Sequence, residues 1–244
     1  MIDIHAHILP GLDDGAKSWE ESLEMARMAV ADGIRVMVAT PHLYKSRSID
    51  PGQINGKEIV FDRLALLREK LAAAEIPLEV LPGCDFPLGF ESLQLLAQDL
   101  ALTINDARRY LLVELPDTAL PPALDDICFQ LQSQGLTPII THPERHFLIQ
   151  ERPQKLRRLL DLGCLAQLTA SSLTGWFGRR VKKTSRHLVK AGYIQLLATD
   201  AHNTRSRPPV LSQAVKALSR LVGETQAWAM VTRFPEKVIK GEPF

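Results

Sequence analysis

The sequence predicts an α/β fold: parallel strands joined by helices, closed into a distorted, TIM-like (β/α)7 barrel, with one domain over residues 1–244. Three observations predict it. Short apolar runs alternate with longer helical patterns from end to end. The runs are apolar enough to be covered on both faces, as the strands of a parallel sheet are. Neither G-x-G-x-x-G nor G-x-x-x-x-G-K-[ST] occurs, so the usual nucleotide-binding reasons for an open sheet are missing and a closed one is favoured.

The elements follow in order. IDIHAHI (2–8) is the first strand. SWEESLEMARMAVADG (18–33) is a helix: Ser18 and Glu21 have capping-box spacing, Leu23, Ala26, Ala29 and Val30 share a face, and Gly33 stops it. RVMVATPH (35–42) is the second strand, and LYKSRSIDPGQING (43–56) after it reads as a long loop, of a length often used as a lid or binding element. FDRLALLREKLAAAEIP (61–77) reads as a helix, LEVLPGCDF (78–86) as the third strand and YLLVELP (110–116) as the fourth. ALDDICFQLQSQG (123–135) is helical, TPIITHPER (137–145) is the fifth strand and CLAQLTA (164–170) the sixth. The basic run GRRVKKTSRH (178–187) reads as a solvated helix face; it also starts just past the sixth strand, where it could dock an anionic partner. IQLLATDAH (194–202) is the last strand, and VLSQAVKALSRLVG (210–223) a helix after it.

Composition narrows the function. The 29 basic and 28 acidic residues nearly cancel, leaving no whole-chain electrostatic footprint for nucleic acid or an anionic membrane. No apolar stretch approaches the roughly 20 residues of a spanning helix. Asp3, His5 and His7 interrupt the N-terminus too early for a signal peptide. Cys84, Cys128 and Cys164 are odd in number and widely spaced, which suits a reducing, cytoplasmic compartment. Positions 90, 134 and 170 are Phe, Gln and Ala, so no cysteine has the arginine six residues on that a cysteine-dependent phosphatase requires. Cys128 and Cys164 read as small buried hydrophobes.

The chemistry lies at the strand ends. Successive runs finish in His5 and His7, His42, Asp85, Glu114, then His142 with Glu144 and Arg145, and last Asp200 and His202. In parallel α/β folds, active sites form at the carboxyl ends of strands. H-x-H on a strand points both imidazoles to one side, where they can chelate one ion. D-A-H at 200–202 repeats that geometry with a carboxylate. Mixed nitrogen and oxygen donors suit Mn²⁺, Zn²⁺ or Fe better than Ca²⁺ or Cu(I), and their number implies two or three ions. Taken singly, Asp13 and Asp14 beside Gly15 also fit a turn, and Glu114 a surface strand end. Their joint placement favours a metal cluster.

In order and spacing, HAH, LDDG, ATPH, LPGCD, VELP, THPERH and TDAHN…RPP resemble the polymerase-and-histidinol-phosphatase (PHP) superfamily. Within it they look most like the bacterial metal-dependent protein-tyrosine phosphatases of capsule and exopolysaccharide loci, the CpsB/CapC/YwqE type. The resemblance implies a PHP-type barrel holding three divalent ions, manganese foremost. It implies His5, His7, Asp14, His42, Asp85, Glu114, His142, Asp200 and His202 as ligands, with Arg145 and Arg207 binding phosphate. It also implies a tyrosine-phosphorylated partner, a bacterial tyrosine kinase with its C-terminal tail. Hydrolysis would proceed by metal-hydroxide attack on phosphorus while the arginines neutralise developing charge. His42, His202 and a metal-bound water remain alternative general acids. Asp85 stands where the family usually has Glu, one methylene longer. A small-molecule phosphatase such as a histidinol phosphatase, a nuclease, and a catalytically weakened phosphoprotein-binding regulator are the competing readings.

Overall fold

In the computed structural model, residues 1–44, 54–116, 119–121 and 123–244 are described, with backbone only for 90–92. The strands are β1 Ile2–Ala6, β2 Val36–Ala39, β3 Glu79–Pro82, β4 Asp85–Pro87, β5 Tyr110–Glu114, β6 Thr137–Thr141, β7 Leu165–Thr169 and β8 Leu196–Ala198. The helices are α1 Trp19–Asp32, α2 Lys57–Ala73, α3 Phe90–Ala97, α4 Leu124–Ser133, α5 Phe147–Glu151 and α6 Gln154–Asp161. After β7 come α7 Ala170–Thr174 and α8 Gly178–Lys190, and after β8 α9 Ser212–Val222, α10 Glu224–Ala229 and α11 Arg233–Lys240. All strand pairs are parallel, in a three-stranded sheet ordered β1-β2-β3 and a five-stranded sheet ordered β4 to β8.

Seven strand positions were expected and eight strands form among the described residues, because the third run breaks in two. Its amino half, β3, pairs with β2. The pairing is interrupted at Gly83–Cys84, and Asp85 then pairs with His42 beyond the end of β2. A side chain could not fit at the break: a Cβ on Gly83 would stand 2.8 Å from Val38 Cγ1. On the far side the sheet closes through Asp200 N–H donating to the His5 carbonyl and His7 N–H to the Ala201 carbonyl, both at 2.8 Å. The result is a closed ring of seven positions, one of them broken.

Two apolar layers hold it. The larger lies between strands and helices and includes Met25, Leu64, Val113, Ile140 and Leu197. A smaller inner cluster contains Ile4, Val38, Leu112, Ile139, Leu196 and Ala198. Side chains alternate along a strand. Leu112 is two residues before Glu114, and Ala198 two before Asp200, so the polar cluster sits directly over the inner apolar layer. On β1 the pairing register shifts between Asp3 and Ala6. Irregularities of this kind re-aim side chains beside active sites, and here His5 and His7 both reach the cluster although Ile4 belongs to the inner layer.

The signals for α1 act as the sequence predicts. Ser18 accepts the Glu21 amide, and Gly33 closes α1 at φ 93°. The α2 helix starts at Lys57, four residues ahead of its apolar pattern. The long 43–56 loop falls mostly on residues 45–53, which lie outside the described residues.

Candidate metal centre

The cluster is built by loops that follow strands. Gly15 lies against the end of β1, where a Cβ would meet the His7 carbonyl oxygen at 2.2 Å, so only glycine lets the DDG turn fold onto this strand. That turn sends its two aspartates in different directions. Asp13 Oδ2 contacts His7 Nδ1 at 2.6 Å and accepts the His42 backbone N–H at 2.9 Å. Asp14, with its side chain 65% exposed, faces His202 Nε2 at 3.3 Å and His42 Nε2 at 3.6 Å.

The floor is buried. His5 Nε2 and His7 Nε2 stand 3.2 Å apart. Asp200 Oδ1 lies 3.4 Å from His5 Nε2, 3.5 Å from His7 Nε2 and 3.6 Å from His202 Nδ1. Asp200 Oδ2 turns the other way and accepts from Arg145 Nη2 and Arg207 Nη2, both at 2.5 Å. One carboxylate therefore joins the imidazoles to both arginines. Asp200 and His142 hold left-handed backbones, φ 54° and 36°, which aim them across the barrel mouth.

Asp85 bridges the floor and the next group of donors. Its Oδ2 is 3.5 Å from His5 Nε2, 3.5 Å from His42 Nδ1 and 4.0 Å from His142 Nε2. Glu114 adds Oε2 at 3.5 Å from His42 Nδ1 and Oε1 at 3.7 Å from His142 Nε2. Donor atoms lie within 4.8 Å of one another in three overlapping sets: His7, Asp14, His42 and His202; His5, His7 and Asp200; His42, Asp85 and Glu114. All nine residues expected as ligands thus enter one cluster, His142 through its approach to Asp85 and Glu114.

A test of fit for cations comes from Asp85. Its Oδ2 is buried without a hydrogen-bond partner among the described residues, which is costly for a carboxylate, yet three imidazoles surround it. Divalent ions would satisfy that oxygen and the facing imidazole nitrogens together. The shorter side chain still reaches between the sets.

Electrostatics point the same way. Burial opposes charge on His7, but Asp13 and Asp200 push its imidazole up to about 10. Burial together with Asp85 pushes Glu114 up to about 7, and burial with the nearby His7 pulls His202 down to about 4. Asp200 resists burial because Arg145, His5 and Arg207 hold it well below the usual carboxylate range. The carboxylates of Glu114 and Asp85 are crowded together in a way that a bound cation would relieve.

Three supporting residues escape sequence reasoning. Asp13 orients His7, and Gln167 Oε1 meets His5 Nδ1 at 2.9 Å from β7. The signal for Gln167 is a lone amide inside an apolar strand. Phe177 places its ring 5.0 Å from the Arg145 guanidinium, and no sequence pattern announces that. Three other residues stay outside the donor sets. Glu144 is buried and accepts from the Thr169 amide, while His146 Nε2 contacts the Pro116 carbonyl at 2.9 Å. The Cys84 thiol is buried, donates to the Leu102 carbonyl and is pushed up to about 12 by burial, unsuited to nucleophilic attack. Cys128 and Cys164 are free and buried, as expected.

Fold and site together define a parallel-barrel protein with a multinuclear-type imidazole–carboxylate centre at the carboxyl ends of its strands. The chain belongs to the CpsB/CapC family of capsular polysaccharide synthesis, whose model matches residues 1–240. It is 37% identical to the tyrosine-protein phosphatase YwqE of Bacillus subtilis over 99% of this chain and 92% of that one. It is 28% identical to the tyrosine-protein phosphatase CpsB of Streptococcus pneumoniae, over 98% of each. A solved structure from work on YwqE and CpsB, described as unique metal-dependent tyrosine phosphatases, superposes with a TM-score of 0.92 at 37% identity, covering 100% of this chain and 96% of that one. The phosphotriesterase homology protein of Escherichia coli, at TM-score 0.60 and 12% identity over 98% of each chain, shares the fold alone. Among the described residues, no helix is long and apolar enough to cross a membrane.

Proposed function

We propose that this chain is a metal-dependent protein-tyrosine phosphatase acting in capsule or exopolysaccharide synthesis, on a tyrosine-phosphorylated protein such as the C-terminal tail of a bacterial tyrosine kinase. One observation carries the reading: five histidines and four carboxylates from successive strand ends converge beside two arginines that meet on one of those carboxylates. The family membership and the named activities of the relatives support it.

His5, His7, Asp14, His42, Asp85, Glu114, His142, Asp200 and His202 would hold two or three divalent ions, Mn²⁺ foremost. Ions in such a site supply Lewis acidity toward phosphoryl oxygens and lower the pKa of water toward neutrality. The protein's own residues do the rest. Asp13 and Gln167 fix the tautomers of His7 and His5, so that each presents its Nε2 to the cluster. Arg145 and Arg207, pinned by Asp200, point guanidinium donors at the same mouth, where they would bind the phosphoryl group and its growing charge. A phenolate leaves more easily than an alkoxide, so tyrosine phosphate demands less of a proton donor. The reach of Asp85 favours turnover over a binding-only regulator. Chelation should abolish hydrolysis of a phosphotyrosine peptide while thiol alkylation leaves most of it, and the reverse pattern would overturn the assignment.

A further inference from the structure

The near-neutral net charge conceals a strongly uneven distribution. Between Asp161 and Asp200 the chain has no acidic residue, and its six basic ones all lie on α8. Arg179, Lys183, Arg186 and Lys190 are exposed and follow one another at spacings of four, three and four residues, which places them on one helix face. None of these four makes an ion pair among the described residues; Arg180, off the stripe, pairs with Glu151 at 3.5 Å. The stripe begins at the proposed active site. Phe177, immediately before α8, covers Arg145, and α8 packs against the Pro143–Arg145 turn. Trp176, next to it, is 61% exposed.

We propose that this face of α8 is a docking strip for an acidic peptide segment flanking the phosphotyrosine. The inference rests on the phosphatase reading and adds a substrate class to it. A peptide whose phosphate lies at Arg145 can leave the barrel mouth past the Phe177 corner, and the strip is a basic surface that begins there. Arg179 and Arg186 are about 10 Å apart along the helix at 1.5 Å per residue. An extended peptide covers that span in about three residues. The acidic positions therefore lie within a few residues of the phosphotyrosine. Unpaired cations at the edge of a site act mainly on encounter and on salt sensitivity.

The test compares two phosphotyrosine peptides of equal length, one with acidic and one with neutral flanks, together with p-nitrophenyl phosphate. Arg179→Glu combined with Lys183→Glu is set against an equal charge change elsewhere, Arg27→Glu with Lys240→Glu. For the acidic peptide alone, KM should rise about tenfold in the α8 variant, with kcat and the other two substrates little changed, as expected of edge charges. Added salt should reduce the difference between the two peptides in the natural protein. Equal effects on all three substrates, or the same effect from the distant control, would overturn the proposal. If nothing is hydrolysed, the phosphatase reading fails, and fluorescence anisotropy of the labelled acidic peptide on metal-loaded protein decides the docking claim: weakened binding in the α8 variant supports it, unchanged binding refutes it. Loss of binding to vesicles containing an anionic phospholipid, with peptide binding intact, would assign the strip to a membrane and likewise refute it.

Discussion

The floor and the rim of the cluster are built differently. On the floor, His5, His7, Asp85 and Asp200 are at most 1% exposed, and three of the four have a dedicated partner: Gln167 for His5, Asp13 for His7, and the two arginines for Asp200. At the rim, His42, Glu114 and His142 are partly exposed, and among the described residues their side chains make no hydrogen bond. They face one another and Asp14 across 3.5–3.7 Å. The protein thus sets the floor in advance and leaves the rim for ions to order. Half of the site is a template and the other half a closure.

The comparison breaks most severely at Asp200. Asp200→Ala should abolish turnover and destabilise even the metal-free chain by about 3–5 kcal/mol, since Arg145 and Arg207 lose a buried partner; urea unfolding without metal reads this directly. Asp13→Asn should weaken metal affinity roughly 10–100-fold, the usual cost of losing the partner that orients a ligand, as read by metal titration. At the rim, Asp14→Ala should lower activity by removing one donor but leave the metal-free stability within about 0.5 kcal/mol, as for an ordinary surface change. Comparable destabilisation by Asp200→Ala and Asp14→Ala would erase the distinction between floor and rim.

A smaller effect depends on pH. Without metal, His7 titrates near 10 in the folded chain against an ordinary value of 6.5. A raised value means that protonated His7 contributes stability fully below about 6.5, and that this contribution fades as pH climbs toward 10. Metal-free protein should therefore lose stability across that window. Metal binding in the same window should release protons, seen as calorimetric heats that vary with buffer, because imidazole ligates in its neutral form.

Much of this was legible in the sequence. Strand runs were apolar on both faces, and their polar terminators fell at the carboxyl ends, where a parallel barrel collects them. The break in the third strand was not, because the need for glycine at position 83 shows only once Val38 is known to press against it. The nine cluster residues carry ligand chemistry in their side chains and could be named. Asp13 and Gln167 could not, because their role comes from partners 6 and 162 residues away. The charge of α8 was visible, but its place beside Arg145 depends on the Phe177 corner, which folding alone supplies.

The most direct test of the account is phosphate release from a tyrosine-phosphorylated peptide by metal-stripped protein after Mn²⁺ is returned, with Asp85→Glu assayed in parallel. Silence without metal and restored turnover with it are expected, since Asp85 already reaches His5 and His42 at 3.5 Å. Silence of the natural chain with metal bound, and activity only in the glutamate variant, would contradict it.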